Sequence, residues 1–373
     1  MSSLQTVLWS PLRRAAARVQ MSVAGFGGDA QSDSLFLVTG GGEWAVKEIA
    51  VGVQPHLAPH FRNVTILDQV TQRPYLSRGN VHCLCRPAFF KGGGIPHLHA
   101  SNRLVVSWLH GGKHSDSPEI VAACGQLERH WQRVRHFVVP NSRTLADVLD
   151  CGVDERMISV IPNGVNTRLF QPCESPQRRD EIRQALGIPR GAFVVGSFQR
   201  DEDDDGHPKL VKGPDVLIAA LAAAQRRMPV HALLTGPSRR YVKQGLERHG
   251  VPFTHAEQGA LSNMSQMYHA LDAYCVSSRE EGGPAPLRES MASAVPVVST
   301  RVGLAIDLIE HARNGFVVDV EDAAGLASGL VQLAEDRGAT EHIAAAALET
   351  IRALDYSVIA RRYREEVYLK AFA

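Results

Sequence analysis

The chain has no run of about 18 apolar residues, so nothing in it reads as a membrane-spanning helix. It has almost no net charge: 40 Lys and Arg stand against 39 Asp and Glu, a formal +1. No overall field therefore argues for nucleic acid as a partner. Internal repeats and low-complexity tracts are absent, which sets repeat arrays aside. Cysteine is scarce. The six are Cys83, Cys85, Cys124, Cys151, Cys173 and Cys275, with no Cys-x-x-Cys pair among them. Cys83 and Cys85 lie two apart on an expected strand, share a face and could touch a metal; the simpler reading is buried thiols in a reducing cytosol. The first 28 residues carry Arg13, Arg14 and Arg18 and no acidic residue, but lack the apolar core of a secretory signal. That pattern fits a transit peptide or a surface-lying helix, and the expectation is an unstructured leader over residues 1–33.

What is present is the composition of an ordinary soluble chain, 44% hydrophobic and 21% charged over 373 residues, a length that suits two domains. Residues 1–166 carry a net +4 and residues 167–373 a net −3. A basic first half could face an anionic substrate or membrane, though a difference this small is ordinary for solvated surface. The segments SLFLV, NVTIL, NVHCLC, LVVSWL and HFVVP are short, rich in Val, Ile and Leu, and lack a clean polar alternation. Such strands belong to a parallel sheet buried on both faces. Helical patterns fall between them: AVKEIAVGVQPHL, residues 118–135, and NSRTLADVLD, which opens on capping residues and stops at Gly152. A second alternation begins near Arg168 with AFVVGSF, GPDVLIAALAAAQRRM, HALLTG and RRYVKQGLERHG, and runs on through AYCVSS, PLRESMASA, VPVVST and GFVVD into a helical C-terminus. These patterns predict two doubly wound α/β domains, 34–166 and 167–355, with a cleft between them and a C-terminal helix, 356–373, packing back on the first. In open α/β sheets the ligand site lies beyond the carboxyl ends of the strands.

One stretch carries chemistry. In REEGGPAPLRE, Glu281 and Glu289 flank a turn of two glycines and two prolines, with a strand just before it and a helix beginning inside it. Pro286 in the first helical turn is a start signal. A helix N-terminus after a glycine turn binds phosphate through its free N–H groups and the helix dipole. Carboxylates aimed at that phosphate would repel it, so they make sense aimed past it, at hydroxyls on either side. Hydroxyls flanking a diphosphate describe a nucleotide-sugar, with the ribose on one side and the transferred sugar on the other.

The stretch SSREEGGPAPLRESMASAVPVVSTRVGLAIDLIEHARNGFVVD resembles the Glu-x7-Glu segment of retaining GT-B glycosyltransferases, family four, the group 1 glycosyl transferases. VVPNSRTLADVLDCGVDERMISVIPNGVNTRLFQP resembles their interdomain segment, VVGSFQRDEDDDGHPKLVKGPDVLIAAL the opening of their second domain, and SWLHGG a histidine loop of their first. The four segments come in the family's order. The resemblance implies a GT-B fold and metal-independent transfer of a sugar from a UDP- or GDP-sugar to an acceptor hydroxyl, with no cofactor. It assigns the donor-sugar hydroxyls to Glu281 with the Gly282–Gly283 backbone, the ribose to Glu289, and the diphosphate to Arg200 and Lys212. Amides of Ala285 and Leu287 would join the phosphate cradle. His110 would lie near the reacting sugar, while Gly41 and Gly42 would let the first loop approach donor or acceptor. Fixed cations at a departing phosphate are each worth roughly 3–4 kcal/mol, and Lys or Arg supplies them without a metal. Retention would come without an Asp or Glu nucleophile, the departing phosphate helping as base on the same face. The implied acceptor is a carbohydrate or lipid-linked glycan, met in the cytoplasm or at the inner face of the membrane during envelope or polysaccharide assembly. No nucleic acid is implied.

The chain departs from the family pattern at several points. Pro284 and Pro286 remove two N–H donors, and Ala294 stands where glycine is usual. The gap from Arg200 to Lys212 holds DEDDDGHPK, read as a solvated insertion that could bind a cation, with Lys209 the alternative to Arg200. Among the remaining polar residues, His56, His60, His97 and His99 read as loop or surface histidines. His114 and Asp116 read as loop polar groups, Trp131 as one face of a packed helix, and FFKGGGI as a mobile loop. Two rival functions use the same architecture: a nucleotide-sugar epimerase, and a non-catalytic sugar-binding subunit.

Overall fold

The computed structural model describes residues 33–39, 45–67, 79–84, 101–203, 205–256 and 261–373. All but the last residue of the expected leader, together with Gly41, Gly42, Cys85, His97, His99 and FFKGGGI, lie outside them. The chain divides into two compact units, Met1–Ile161 with Tyr356–Ala373, and Pro162–Asp355. No helix among the described residues is long and apolar enough to cross a membrane.

In the first unit, β1 (Ser34–Val38), β2 (Asn63–Leu67), β3 (Asn80–Cys83), β4 (Arg103–Ser107), β5 (His136–Val139) and β6 (Ile158–Val160) form one sheet in the order β2-β1-β3-β4-β5-β6. Every pairing is parallel. Successive side chains alternate across a strand. Leu35 and Leu37 therefore join Val105 and Val138 in one apolar layer, and Phe36 and Val38 join Leu104 and Val106 in the other. Burial on both faces explains why these strands lack polar alternation. The helices Pro118–His130 and Ser142–Asp150 close the second layer, the latter started by Asn141, whose side chain accepts from Thr144 N at 2.8 Å. Ala45–Leu57 and the C-terminal Tyr356–Arg362 close the first layer, and they pack so tightly that a Cβ on Gly52 would lie 2.3 Å from the Tyr356 ring. The C-terminal segment is also tied to the sheet itself. His82 Nδ1 lies 2.6 Å from the Tyr368 hydroxyl, and His82 Nε2 lies 2.8 Å from Ser107 Oγ. Burial, with the nearby His136 as a second cause, pushes the His82 imidazole down to about 3.

In the second unit, β7 (Phe193–Ser197), β8 (Val230–Thr235), β9 (Phe253–Ala256), β10 (Ala273–Val276), β11 (Val297–Thr300) and β12 (Phe316–Val318) run in the order β12-β11-β10-β7-β8-β9, again all parallel. This is the doubly wound order in which a first run of three strands goes one way from β7 and a second run starts on its other side at β10. The strand order thus reverses between β7 and β10. Val195, Leu234 and Cys275 pack against Leu217, Leu221 and Leu330 on one face; Val194, Leu233 and Tyr274 pack against Leu287, Met291 and Ile351 on the other.

Two strands, β6 and β9, were not expected from the sequence. Both lie at sheet edges, and ISV and FTHA are only partly buried, so neither shows the apolar run that marks a central strand.

Candidate functional site

In open α/β sheets ligands bind beyond the carboxyl ends of the strands at the point where the strand order reverses, here between β7 and β10. Leaving β7 the chain passes Phe198 and Gln199. Leaving β10 it passes Ser277 and Ser278, both fully buried, then residues 279–284, and enters the helix Ala285–Ala292. A third segment, the short 3-10 turn Leu210–Lys212, comes up beside them and ends at Gly213 with φ 60°. That position tolerates no side chain, because a Cβ there would sit 1.8 Å from the Ser277 carbonyl oxygen. The close approach lays Lys212 against the β10 loop.

Lys212 and Glu281, 69 residues apart, meet here. Lys212 Nζ donates to Glu281 Oε1 at 2.6 Å, and Ser278 Oγ donates to the same oxygen at 2.9 Å. Gln199 Nε2 donates to the Lys212 carbonyl at 2.7 Å, so all three segments are tied into one network. The Lys212 side chain is 26% exposed and that of Glu281 12%, leaving the ammonium donors that Glu281 does not use within reach of a ligand. Arg279, at the head of the motif, is a clamp. It donates to both Asp215 carboxylate oxygens at 2.9 and 2.8 Å, to Glu321 at 2.7 Å and to the Leu210 carbonyl at 2.6 Å, and the Asp215 hydrogen bonds raise its pKa further.

Glu289 is buried in the helix and accepts from the Tyr268 hydroxyl at 2.6 Å. Tyr268 is itself fixed by edge-on contacts to Phe198 and Phe170, with ring centroids 5.0 and 5.7 Å away. The helix is anchored by Leu287 and Met291, both fully buried. Its N-cap is Pro284, which has no side-chain oxygen to offer the first amides. Pro286 has no N–H, which leaves Ala285 and Leu287 as the early donors at the positive end of the helix dipole.

Arg200 is exposed, on the segment that leaves β7 after Gln199. The acidic stretch after it departs from the expected solvated insertion. Asp201 is 1% exposed and pairs at 3.2 Å with Arg239, whose side chain is fully buried. Arg239 also donates to the carbonyls of Ser197 at 2.6 Å and Thr235 at 3.1 Å, pinning the stretch to the ends of β7 and β8. Burial raises the Asp201 carboxyl, opposed by Arg239. Glu202, also buried, accepts from Tyr241 N at 2.8 Å. The tip is solvated: Asp203, Asp205 and His207 are exposed, and Asp203 Oδ1 closes the turn by accepting from the amides of Asp205 and His207.

His110 is exposed at the carboxyl end of β4 in the first unit, in a loop where Trp108 Nε1 donates to the Gly111 carbonyl at 2.8 Å. His114, His56 and His60 are exposed, and Trp131 packs partly buried against the first-unit core. Gln199, Ser278 and Tyr268 were not identified from the sequence. Ser278 stands three residues before Glu281 and carries that much of a signal, whereas nothing local marks Tyr268 as the partner of a glutamate 21 residues away.

Residues 206–336 match the family model described as glycosyl transferases group 1. The chain is 26% identical over 291 residues to a D-inositol 3-phosphate glycosyltransferase of Thermomonospora curvata, covering 73% of this chain and 65% of that protein. It is 28% identical over 190 residues to a lipopolysaccharide core biosynthesis mannosyltransferase of Rhizobium meliloti, covering 48% and 51%. The chain thus spans less than two thirds of the length of these curated relatives. Among solved structures it is similar to Anabaena HepE in complex with UDP-glucose, with TM-score 0.72, 22% identity, and 90% and 99% of the two chains covered. Sucrose-phosphate synthase from Thermosynechococcus elongatus is similar at TM-score 0.72, 16% identity, and 91% and 99% coverage. With its two parallel sheets, the chain has the two-domain α/β GT-B fold.

Proposed function

We propose that the chain transfers a sugar from a nucleoside diphosphate-sugar to an acceptor hydroxyl with retention at the anomeric carbon, and that its second unit holds the donor. The observation that carries this reading is the Lys212–Glu281 pair, set at the strand-order reversal directly ahead of a proline-started helix. A diphosphate at the helix N-terminus would take the amides of Ala285 and Leu287 and draw the Lys212 ammonium to itself. Glu281 would then be released to accept from hydroxyls of the sugar. Glu289, held by Tyr268, would accept from the ribose.

As the bond from the anomeric carbon to the leaving oxygen breaks, negative charge grows on the phosphate that Lys212 faces. The lysine therefore stabilises the transition state more than the bound donor. The acceptor hydroxyl attacks from the face the phosphate leaves and gives its proton to that phosphate. Because the charge is met by an ammonium and by amides, the reaction proceeds without a metal. The HepE structures hold UDP and UDP-glucose, which makes a UDP-sugar the first donor to try and a GDP-sugar the second. The name of the lipopolysaccharide core mannosyltransferase supports envelope or polysaccharide assembly with a glycan or lipid-linked acceptor, whereas that of the D-inositol 3-phosphate glycosyltransferase does not.

The test is a panel of UDP-, GDP-, ADP- and dTDP-sugars scored first by binding and then by nucleotide release, with and without EDTA. Acceptor-dependent release that survives chelation is the expected result. Conversion of the sugar without acceptor would mean an epimerase, binding without any turnover a sugar-binding subunit, and loss with EDTA reversed by magnesium a metal-dependent reaction.

A further inference from the structure

The second unit buries a cation for which the roles above have no use. Arg288 lies in the first turns of the helix Ala285–Ala292 and is 3% exposed. Its guanidinium donates to two backbone carbonyls, those of Gly164 and, at 3.4 Å, Gly283. Its Nε is buried without a hydrogen-bond acceptor among the described residues. No carboxylate among the described residues lies within ion-pair distance of it, although the equally buried Arg239 has Asp201 and the half-buried Arg183 has Asp272. Removing a guanidinium from water without a counter-ion is costly. The two carbonyls offset part of that cost, and an anion bound nearby would offset more.

The location says what that is. Gly283 belongs to the turn that feeds the helix N-terminus, and Asn163 closes on it from the other side, with Nδ2 3.1 Å from where a Gly283 Cβ would be. Pro284 and Pro286 have removed two N–H donors from this same turn. Arg288 puts a full positive charge at the Gly283 carbonyl, on the peptide bond that leads into Pro284.

We infer that Arg288 is a positioning residue for the diphosphate of the donor: it fixes the Gly283 carbonyl, and its uncompensated charge supplies anion affinity that the two prolines took from the helix N-terminus. This rests on the donor-binding reading above. Being buried, Arg288 acts through the turn and the field rather than by touching the phosphates.

The experiment compares UDP with uridine, and GDP with guanosine, by calorimetry for the diphosphates and ligand-observed NMR for the nucleosides. It uses the full chain and the variants Arg288→Gln and Arg288→Lys. Gln keeps a donor for the carbonyls and loses the charge; Lys keeps the charge. The expected result is that Arg288→Gln lowers the preference for diphosphate over nucleoside about tenfold, or about 1.4 kcal/mol, while Arg288→Lys largely retains it. A role in packing alone would lower stability, or weaken diphosphate and nucleoside equally, and would leave the preference unchanged. An unchanged preference in folded Arg288→Gln overturns the inference and leaves donor binding standing. If the unaltered chain binds neither diphosphate, the donor-binding reading itself fails and the inference falls with it. Should Arg288→Gln not fold, loss of the preference in folded Arg288→Lys would equally overturn the claim that charge is what matters.

Discussion

Replacing Glu281 by Gln should move binding and turnover in opposite directions. In the free protein the Lys212 ammonium is held by Glu281 at 2.6 Å, so a diphosphate must win the lysine from that carboxylate. The pair is only partly screened by solvent, with 26% of the Lys212 side chain and 12% of the Glu281 side chain exposed. Its strength therefore falls between the roughly 0.2–1 kcal/mol of exposed pairs and the roughly 1.5–3 kcal/mol of a hydrogen bond to a charged group. Taking about 1 kcal/mol, Glu281→Gln frees Lys212 and should tighten UDP about fivefold. Gln still accepts from Ser278, so the loop keeps its shape. The transferred sugar, however, loses its charged acceptor, and kcat should fall about 10- to 100-fold, the kinetic equivalent of about 1.5–3 kcal/mol. Calorimetry with UDP reads the first quantity, and nucleotide release under saturating donor reads the second. A folded Glu281→Gln that bound UDP more than about threefold weaker would refute the competition between carboxylate and diphosphate. An unchanged kcat would remove Glu281 from the sugar.

Glu289 should behave differently, because free nucleotide and nucleotide-sugar share the ribose. Glu289→Gln should weaken both about 10- to 100-fold, and Tyr268→Phe, which frees the carboxylate it orients, should weaken both by a smaller factor; calorimetry that shows Glu281→Gln and Glu289→Gln equal in their effect on UDP would end the division of labour. Ala294, just past the helix, holds φ 55°, a left-handed conformation that costs a residue with a Cβ about 1–2 kcal/mol. Ala294→Gly should therefore raise stability by about 0.5–1 kcal/mol after the extra chain entropy of glycine, and a lower urea midpoint would contradict the strain argument. Burial holds His82 down at about 3 and His136 at about 4, so both stay neutral in the fold at pH values where the unfolded chain binds protons. Their contribution is fully present above about pH 6.5 and is lost as pH falls, by up to about 1.4 kcal/mol per pH unit for each histidine, down to their folded values. All four tryptophans precede residue 162, so their fluorescence during urea unfolding at pH 7 and pH 5 reads the first unit alone, where a flat midpoint would refute the neutral histidines.

Central strands were legible because a strand buried on both faces must be apolar throughout, and SLFLV, HFVV and AYCV have nothing else to be. Edge strands were not, because ISV and FTHA bury too little to leave a pattern. Strand order is a different kind of information. It is set by which neighbours pair, and no single segment encodes that β7 pairs with β10 as well as with β8. The site inherits this limit. Glu281 and Glu289 were visible as carboxylates around a glycine turn, and Lys212 through family resemblance, but their partners came from segments the sequence does not connect: Gln199 from the β7 exit, Tyr268 from the preceding helix.

The acidic stretch after Arg200 shows why charge is the hardest signal to read along a chain. Five acidic residues in a row look like solvated surface, and Asp203 and Asp205 are exposed. Asp201 and Glu202 carry the same charge and are buried, because Arg239 and the Tyr241 amide arrive from the helix that follows β8. Arg288 is the converse. Within PLRES it looks like any helical surface arginine next to a glutamate, and i,i+1 neighbours on a helix do not face each other. The fold turns it inward against two carbonyls and gives it no acid among the described residues. A carboxylate with a buried partner is a structural tie, whereas a buried cation without one is a demand that a ligand can meet. Only the partners distinguish the two cases, and the partners are a property of the fold.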